Sequence, residues 1–173
     1  FAQLMDSGLP PPTTAQKDSI DQILQAGWYL LELINEVLDL SLIESGKLSM
    51  SIEPISLPEV LLDCQTMIEP QALKRGIHMR FPQFKGPCYI ASDRTRVKQV
   101  VVNLLTNAIK YNRLNGTVEV TCVENSPHRL RISVRDRGEG LSPHKLAQLF
   151  QPFNRLGQEA SAEEGTGIGL VVS

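Results

Sequence analysis

"NLLTNAIKYN" (Asn103–Asn112) is the stretch on which the fold and the function of this chain turn. Extended upstream to Asp93, it reads as one helix, with Ser92 or Asp93 as its cap. Val97, Val101, Leu104 and Ala108 share a face, widened by Val100, Leu105 and Ile109, which makes a core stripe. Asn103, Asn107 and Lys110 share another face at spacings of four and three. At about 100° per residue the polar stripe lies roughly 120° from the apolar one. Two asparagines one turn apart cost helix propensity. An amide oxygen suits a hard cation such as Mg²⁺, and an ammonium is a point charge for phosphate. The stripe therefore reads either as a solvated flank or as the floor of a phosphate–metal site.

Downstream glycines weigh towards the second reading. "RDRGEG" (Arg135–Gly140) follows a strand and places Asp136 at its end, with Gly138 and Gly140 beyond. An aspartate there can accept a hydrogen bond from an exocyclic amine, and glycines let a ligand approach the backbone. "GTGIGL" (Gly165–Leu170) reads as a glycine-rich helix start, whose N–H groups suit phosphate. Each signal is weak alone; their order along the chain is not.

The surrounding sequence organises as α+β. "GLPPP" (Gly8–Pro12) is a hard break, after which Thr13 or Thr14 caps a long amphipathic helix to about Lys47, with Gly46 as its stop. Such a helix, ~45 Å long, needs another helix or chain beside it. "SMSIEP" (Ser49–Pro54) reads as a strand and Leu57–Arg75 as a helix closed by Gly76, in which Pro70 introduces a kink or a split. "IHMRF" and "CYIAS" read as short strands, and "TVEVTCVE" with "RLRISVRD" as a hairpin turned by "NSPH". Residues 137–165 read as a functional loop or a lid. Composition excludes several classes. Among 173 residues, 42% are hydrophobic and 21% charged, and the net charge is −2, which gives no nucleic-acid footprint. Cys64, Cys88 and Cys122 are isolated, against a disulfide framework or zinc site. No apolar run approaches the ~20 residues of a membrane span, and no leader peptide is seen. Both ends read as cut, within a helix at residues 1–5 and before a helix after "GTGIGLVVS".

These motifs together resemble the catalytic core of sensor histidine kinases. "NLLTNAIKYN", "DRGEG", "LFQPFNRL" and "GTGIGL" match the family's N, G1, F and G2 boxes, and "IESGKL" its inter-domain junction. The resemblance implies an α+β chain: a dimerisation helical hairpin over residues 1–50, forming a dimeric four-helix bundle, then an α/β-sandwich ATP-binding domain over residues 51–173. It implies ATP and Mg²⁺ as cofactors. Asn107 would bind the metal, with Asn103 lining the same site. Lys110 would contact phosphate and Tyr111 flank the nucleotide. Asp136 would hold the adenine amino group, with Gly138, Gly140 and Leu141 shaping its pocket. Gly165, Gly167 and Gly169 would carry the phosphate-facing turn, with Thr166 and Leu170 beside them. Phe150 and Phe153 are either lid anchors or core aromatics, and Arg155 either reaches phosphate or is a surface arginine.

The family's phosphoacceptor histidine is expected upstream of Phe1. His78, His128 and His144 read as structural or surface residues. The implied activity is transfer of the γ-phosphoryl group to that histidine and then to a response-regulator aspartate. The implied partners are a second copy through the hairpin, a receiver domain and an upstream sensor domain. The setting is cytoplasmic, with any membrane anchor outside the chain. The alternative is a pseudokinase or regulatory ATP-binding module acting through protein contacts. An ATPase that activates water is disfavoured, because Asn103 stands where such enzymes commonly carry an acidic base.

Overall fold

A computed structural model describes residues 2–7, 11–126, 128–154 and 167–173. The chain divides into two units, Phe1–Leu48 and Ser49–Ser173.

The first unit holds α1 (Ala2–Asp6) and α2 (Thr14–Glu44). Thr13 and Gln16 form a reciprocal capping box at the start of α2. Its end is a left-handed stop: Gly46 has φ +65°, and Lys47 N–H bonds back to Leu42 O at 3.0 Å. The helix thus closes at Glu44 rather than Lys47. Asp6 of α1 forms an ion pair with Lys17 of α2, which raises the Lys17 pKa. Of the expected helical hairpin, the structure shows one short and one long helix, and a pair of comparable helices is not evident. The "GLPPP" break at residues 8–10 lies outside the described residues.

The second unit has two layers. One comprises α3 (Leu57–Lys74) and α4 (Arg94–Lys110). The other holds two sheets. β1 (Glu53–Ser56) pairs antiparallel with β3 (Tyr89–Ser92). β2 (His78–Arg80) runs parallel to β4 (Thr117–Ser126), which pairs antiparallel with β5 (Arg129–Arg135). A short α5 (Pro143–Leu146) follows. β1 starts at Glu53, not Ser49, because its register is set by pairing Glu53–Ser56 against Ser92–Tyr89. Met50 and Ile52, the alternation behind the earlier boundary, are exposed. Pro70 neither splits nor ends α3, which continues to Lys74 despite the missing bond from position 70 to the Thr66 carbonyl.

Period-two alternation turns Val118 and Val120 inward against α3 and α4, with Ile132 and Val134 packed beside them. On α4 the fully buried stripe is Val101, Leu105, Ala108 and Ile109. Leu104 and Val100 are only half-buried, so the stripe is centred slightly away from the predicted face. Asp63 of α3 takes Lys98 Nζ at 3.1 Å and Arg94 Nη2 at 3.0 Å, tying the two helices at their exposed seam. The Lys98 bond and then the Arg94 bond hold the Asp63 carboxyl below its usual value.

Candidate functional site

The position of α4 is fixed at both ends by polar side chains. At the start, Asp93 Oδ1 accepts from Thr95 N at 2.9 Å and Arg96 N at 3.1 Å. Its other oxygen accepts from Ser51 N at 3.0 Å, anchoring the approach to β1. These bonds, that from Ser51 foremost, lower the Asp93 pKa. At the far end the helix closes at Lys110, with Tyr111 as C-cap, two residues earlier than the pattern predicted. Asn112, 7% exposed, takes over there. Its Nδ2 donates to Thr117 O at 3.1 Å, and its Oδ1 accepts from Arg113 N at 2.9 Å and Arg137 N at 3.3 Å. One carboxamide therefore joins the end of α4, the start of β4 and the loop after β5. Sequence reasoning missed this role. The signal was present, since an asparagine just past a helix end, before a turn ending in Gly116, is well suited to local backbone bonding.

The loop after β5 packs tightly on this junction. A methyl group on Gly138 would overlap the Tyr111 carbonyl oxygen, so only glycine permits the approach. Asp136 Oδ1 accepts from Gly138 N at 2.7 Å, which leaves its second carboxylate oxygen for a ligand. Tyr111 is 43% exposed, and Lys110 Nζ lies 5.2 Å from its ring centroid, in cation–π range. The structure thus brings Lys110, Tyr111, Asp136 and Gly138 together at one end of α4. Gly140 (φ +72°) and Leu141, 40% exposed, follow in the same loop.

The other half of the polar stripe meets the last described segment. Asn103 Nδ2 donates to Gly169 O at 3.0 Å and to Ser173 Oγ at 3.2 Å. The Gly169 Cα approaches the Asn103 carboxamide closely enough that an added Cβ would be in contact at 3.5 Å. Ile168, fully buried, pins this segment, and its carbonyl accepts from Val171 N and Val172 N. Those bonds make a single turn, where a helix start was expected. Gly167 (φ +74°) lies against the backbone of Phe153 and Asn154. Leu170 is half-buried. Phe150 and Phe153 are 68% and 60% exposed, which removes the core-aromatic reading. Arg155, Gly165 and Thr166 lie outside the described residues.

Asn107, one turn after Asn103, is half-buried, and among the described residues its carboxamide makes no hydrogen bond. Among the described residues no group of three or more His, Cys, Asp or Glu side chains could hold a metal. The donors on this flank are amide oxygens, the chemistry that fits a hard, largely hydrated cation carried by phosphates. No described helix is long and apolar enough to cross a membrane.

Residues 92–173 match the family model described as histidine kinase-, DNA gyrase B-, and HSP90-like ATPase. The sensor histidine kinase GacS of Pseudomonas protegens is 36% identical over 167 residues, covering 93% of this chain and 18% of that protein. Among solved structures, full-length ShkA in complex with AMPPNP superposes with a TM-score of 0.79 at 26% identity, over 99% of this chain and 35% of that one. Histidine kinase ThkA in complex with response regulator protein TrrA gives a TM-score of 0.64 at 25% identity, over 91% of this chain and 46% of that one. The chain spans between 16% and 30% of the length of such curated relatives.

Proposed function

Residues 92–173 belong to the histidine kinase-, DNA gyrase B-, and HSP90-like ATPases, within a sensor histidine kinase catalytic ATP-binding core, and from that premise we propose that this chain binds Mg²⁺–ATP for phosphoryl transfer to a histidine. The observation that carries the reading is the convergence of one polar helix flank, Asn103 to Tyr111, with Gly138 at one end and Gly169 at the other.

In this reading the second oxygen of Asp136 accepts from the adenine amino group, and Gly138 and Gly140 keep the backbone thin enough for the ring to approach. Leu141 and Tyr111 supply apolar contact. Asn107 ligates the metal through its amide oxygen, and Asn103, held by Gly169 and Ser173, lines the same space. Lys110 offsets phosphate charge. Gly167, Gly169 and Leu170 carry the described part of the phosphate-facing turn. Mg²⁺, when bound, neutralises charge on the departing diphosphate. The chain's own contribution is positioning and electrostatics.

The acceptor is a histidine of the parent protein other than His78, His128 and His144, which sit on β2, the β4–β5 turn and α5. A receiver-domain aspartate takes the group next, under control of a sensor domain. The α2 helix, with Ile23, Leu30, Leu31, Ile34 and Leu38 each at least 47% exposed, supports pairing with a second copy in a helical bundle. The setting is cytoplasmic. The test is autophosphorylation of the full-length protein with γ-labelled ATP and Mg²⁺. An acid-labile, base-stable label is expected. ATP binding with no label would reduce the chain to a regulatory nucleotide-binding module.

A further inference from the structure

The β2–β4–β5 sheet has a second face, turned away from α3 and α4, and its charge departs from that of the whole chain. Arg80 on β2, Glu119 on β4 and Arg135 on β5 are register partners and form one row across it. Arg113, from the turn after α4, and Arg137, from the loop after β5, flank the row. With Thr117 they line a cavity of about 390 Å³. Its lining carries four guanidiniums against the two carboxylates Glu119 and Asp136, on a chain of net charge −2. All four arginines are exposed, and none forms an ion pair among the described residues.

Four like charges gathered in one cleft raise the local positive potential and so the local concentration of anions. Guanidinium forks match phosphate oxygens bidentately. The volume lies within the roughly 300–1,000 Å³ of small-molecule sites. We propose that the pocket of Arg80, Arg113, Arg135 and Arg137 binds a phosphate-bearing small molecule. The site is distinct from the Asn107 flank, yet the two share the 136–138 loop, and Asn112 bonds to Arg113 N and Arg137 N on either side of the pocket.

Pyrophosphate titration of the full chain, followed by calorimetry, tests this. Saturable binding is expected in the wild type and in Asn107→Ala. It should be about ten-fold weaker or worse in Arg80→Gln/Arg135→Gln, given the usual worth of charge-assisted hydrogen bonds. Glu119→Gln, which removes the carboxylate between the two arginines, should tighten it several-fold. Loss of binding in Asn107→Ala with none in the arginine variant would assign pyrophosphate to the nucleotide flank and overturn the proposal. So would a wild type that does not bind. Tighter binding of succinate, or of a glutamate-rich peptide, would overturn the phosphate class or the small-molecule reading respectively.

Discussion

Replacing Asn112 by alanine removes three hydrogen bonds at once, to Thr117 O, Arg113 N and Arg137 N. Each is worth ~0.5–1.5 kcal/mol net, and partly buried backbone groups are left without partners, so the expected loss is about 2–3 kcal/mol. For a unit of this size that lowers the thermal midpoint by on the order of 10 °C. Asn112→Asp refines the test. It keeps an oxygen for the two N–H groups but turns a second oxygen towards the Thr117 carbonyl, so it should also destabilise. Calorimetry or circular dichroism gives the midpoints. The nucleotide arm rests on the proposed site: below the lowered midpoint, ATP affinity should still fall about ten-fold, ~1.4 kcal/mol, because Arg137 N no longer fixes the loop that carries Asp136. Midpoints of both variants within about 2 °C of wild type would refute the assignment of Asn112 as the tie between α4, β4 and β5.

Four further outcomes are expected. Asn107→Ala should abolish Mg²⁺-dependent nucleotide binding without changing the circular dichroism, and Asp136→Asn should weaken adenine nucleotides far more than it perturbs the fold; unaltered titrations would remove both roles. Gly138→Ala should force the 136–138 loop off the Tyr111 carbonyl, costing ~1–3 kcal/mol, and a variant as stable as wild type would mean the contact is loose. The folded-state pKa of Asp93 lies below its usual 3.8, so its stabilising effect is full above that value and is lost as the pH falls through the folded one. The melting midpoint should therefore drop on acidification below about pH 4, and Asp93→Asn should flatten that dependence; parallel curves for the two proteins would dismiss it.

Much of this arrangement was legible because it is periodic. The spacing of Val101, Leu105 and Ala108 against Asn103, Asn107 and Lys110 states a buried and a polar side directly, and Val118 and Val120 do the same for β4. Boundaries were harder. Ser49–Pro54 alternates as well as any strand, but pairing with Tyr89–Ser92 moved β1 to Glu53–Ser56, and such long-range registers leave no local trace. Pro70 reads as a break, yet near the last turn of α3 packing of Ile68 and Ala72 outweighs one missing bond. Of the candidate site, the residues proposed to touch a ligand were singled out partly by their chemistry and partly by the family resemblance. Asn112, which orders them, was not, because its three partners come from segments that only the fold assembles. The arginine pocket was equally hidden: its members lie between positions 80 and 137.

The same β5 strand has a consequence for solubility. Among the described residues β5 is the outermost strand of its sheet. A margin of that kind is a template for pairing with another molecule's strand and so for aggregation. Exposed Arg129, Arg131 and Arg135 recur along it, and an irregularity at Glu124–Ser126 disturbs the ladder near the turn. A second β5 brought alongside would set arginine against arginine on a kinked ribbon. Within the described residues, charge repulsion between two such margins therefore weakens edge-to-edge pairing.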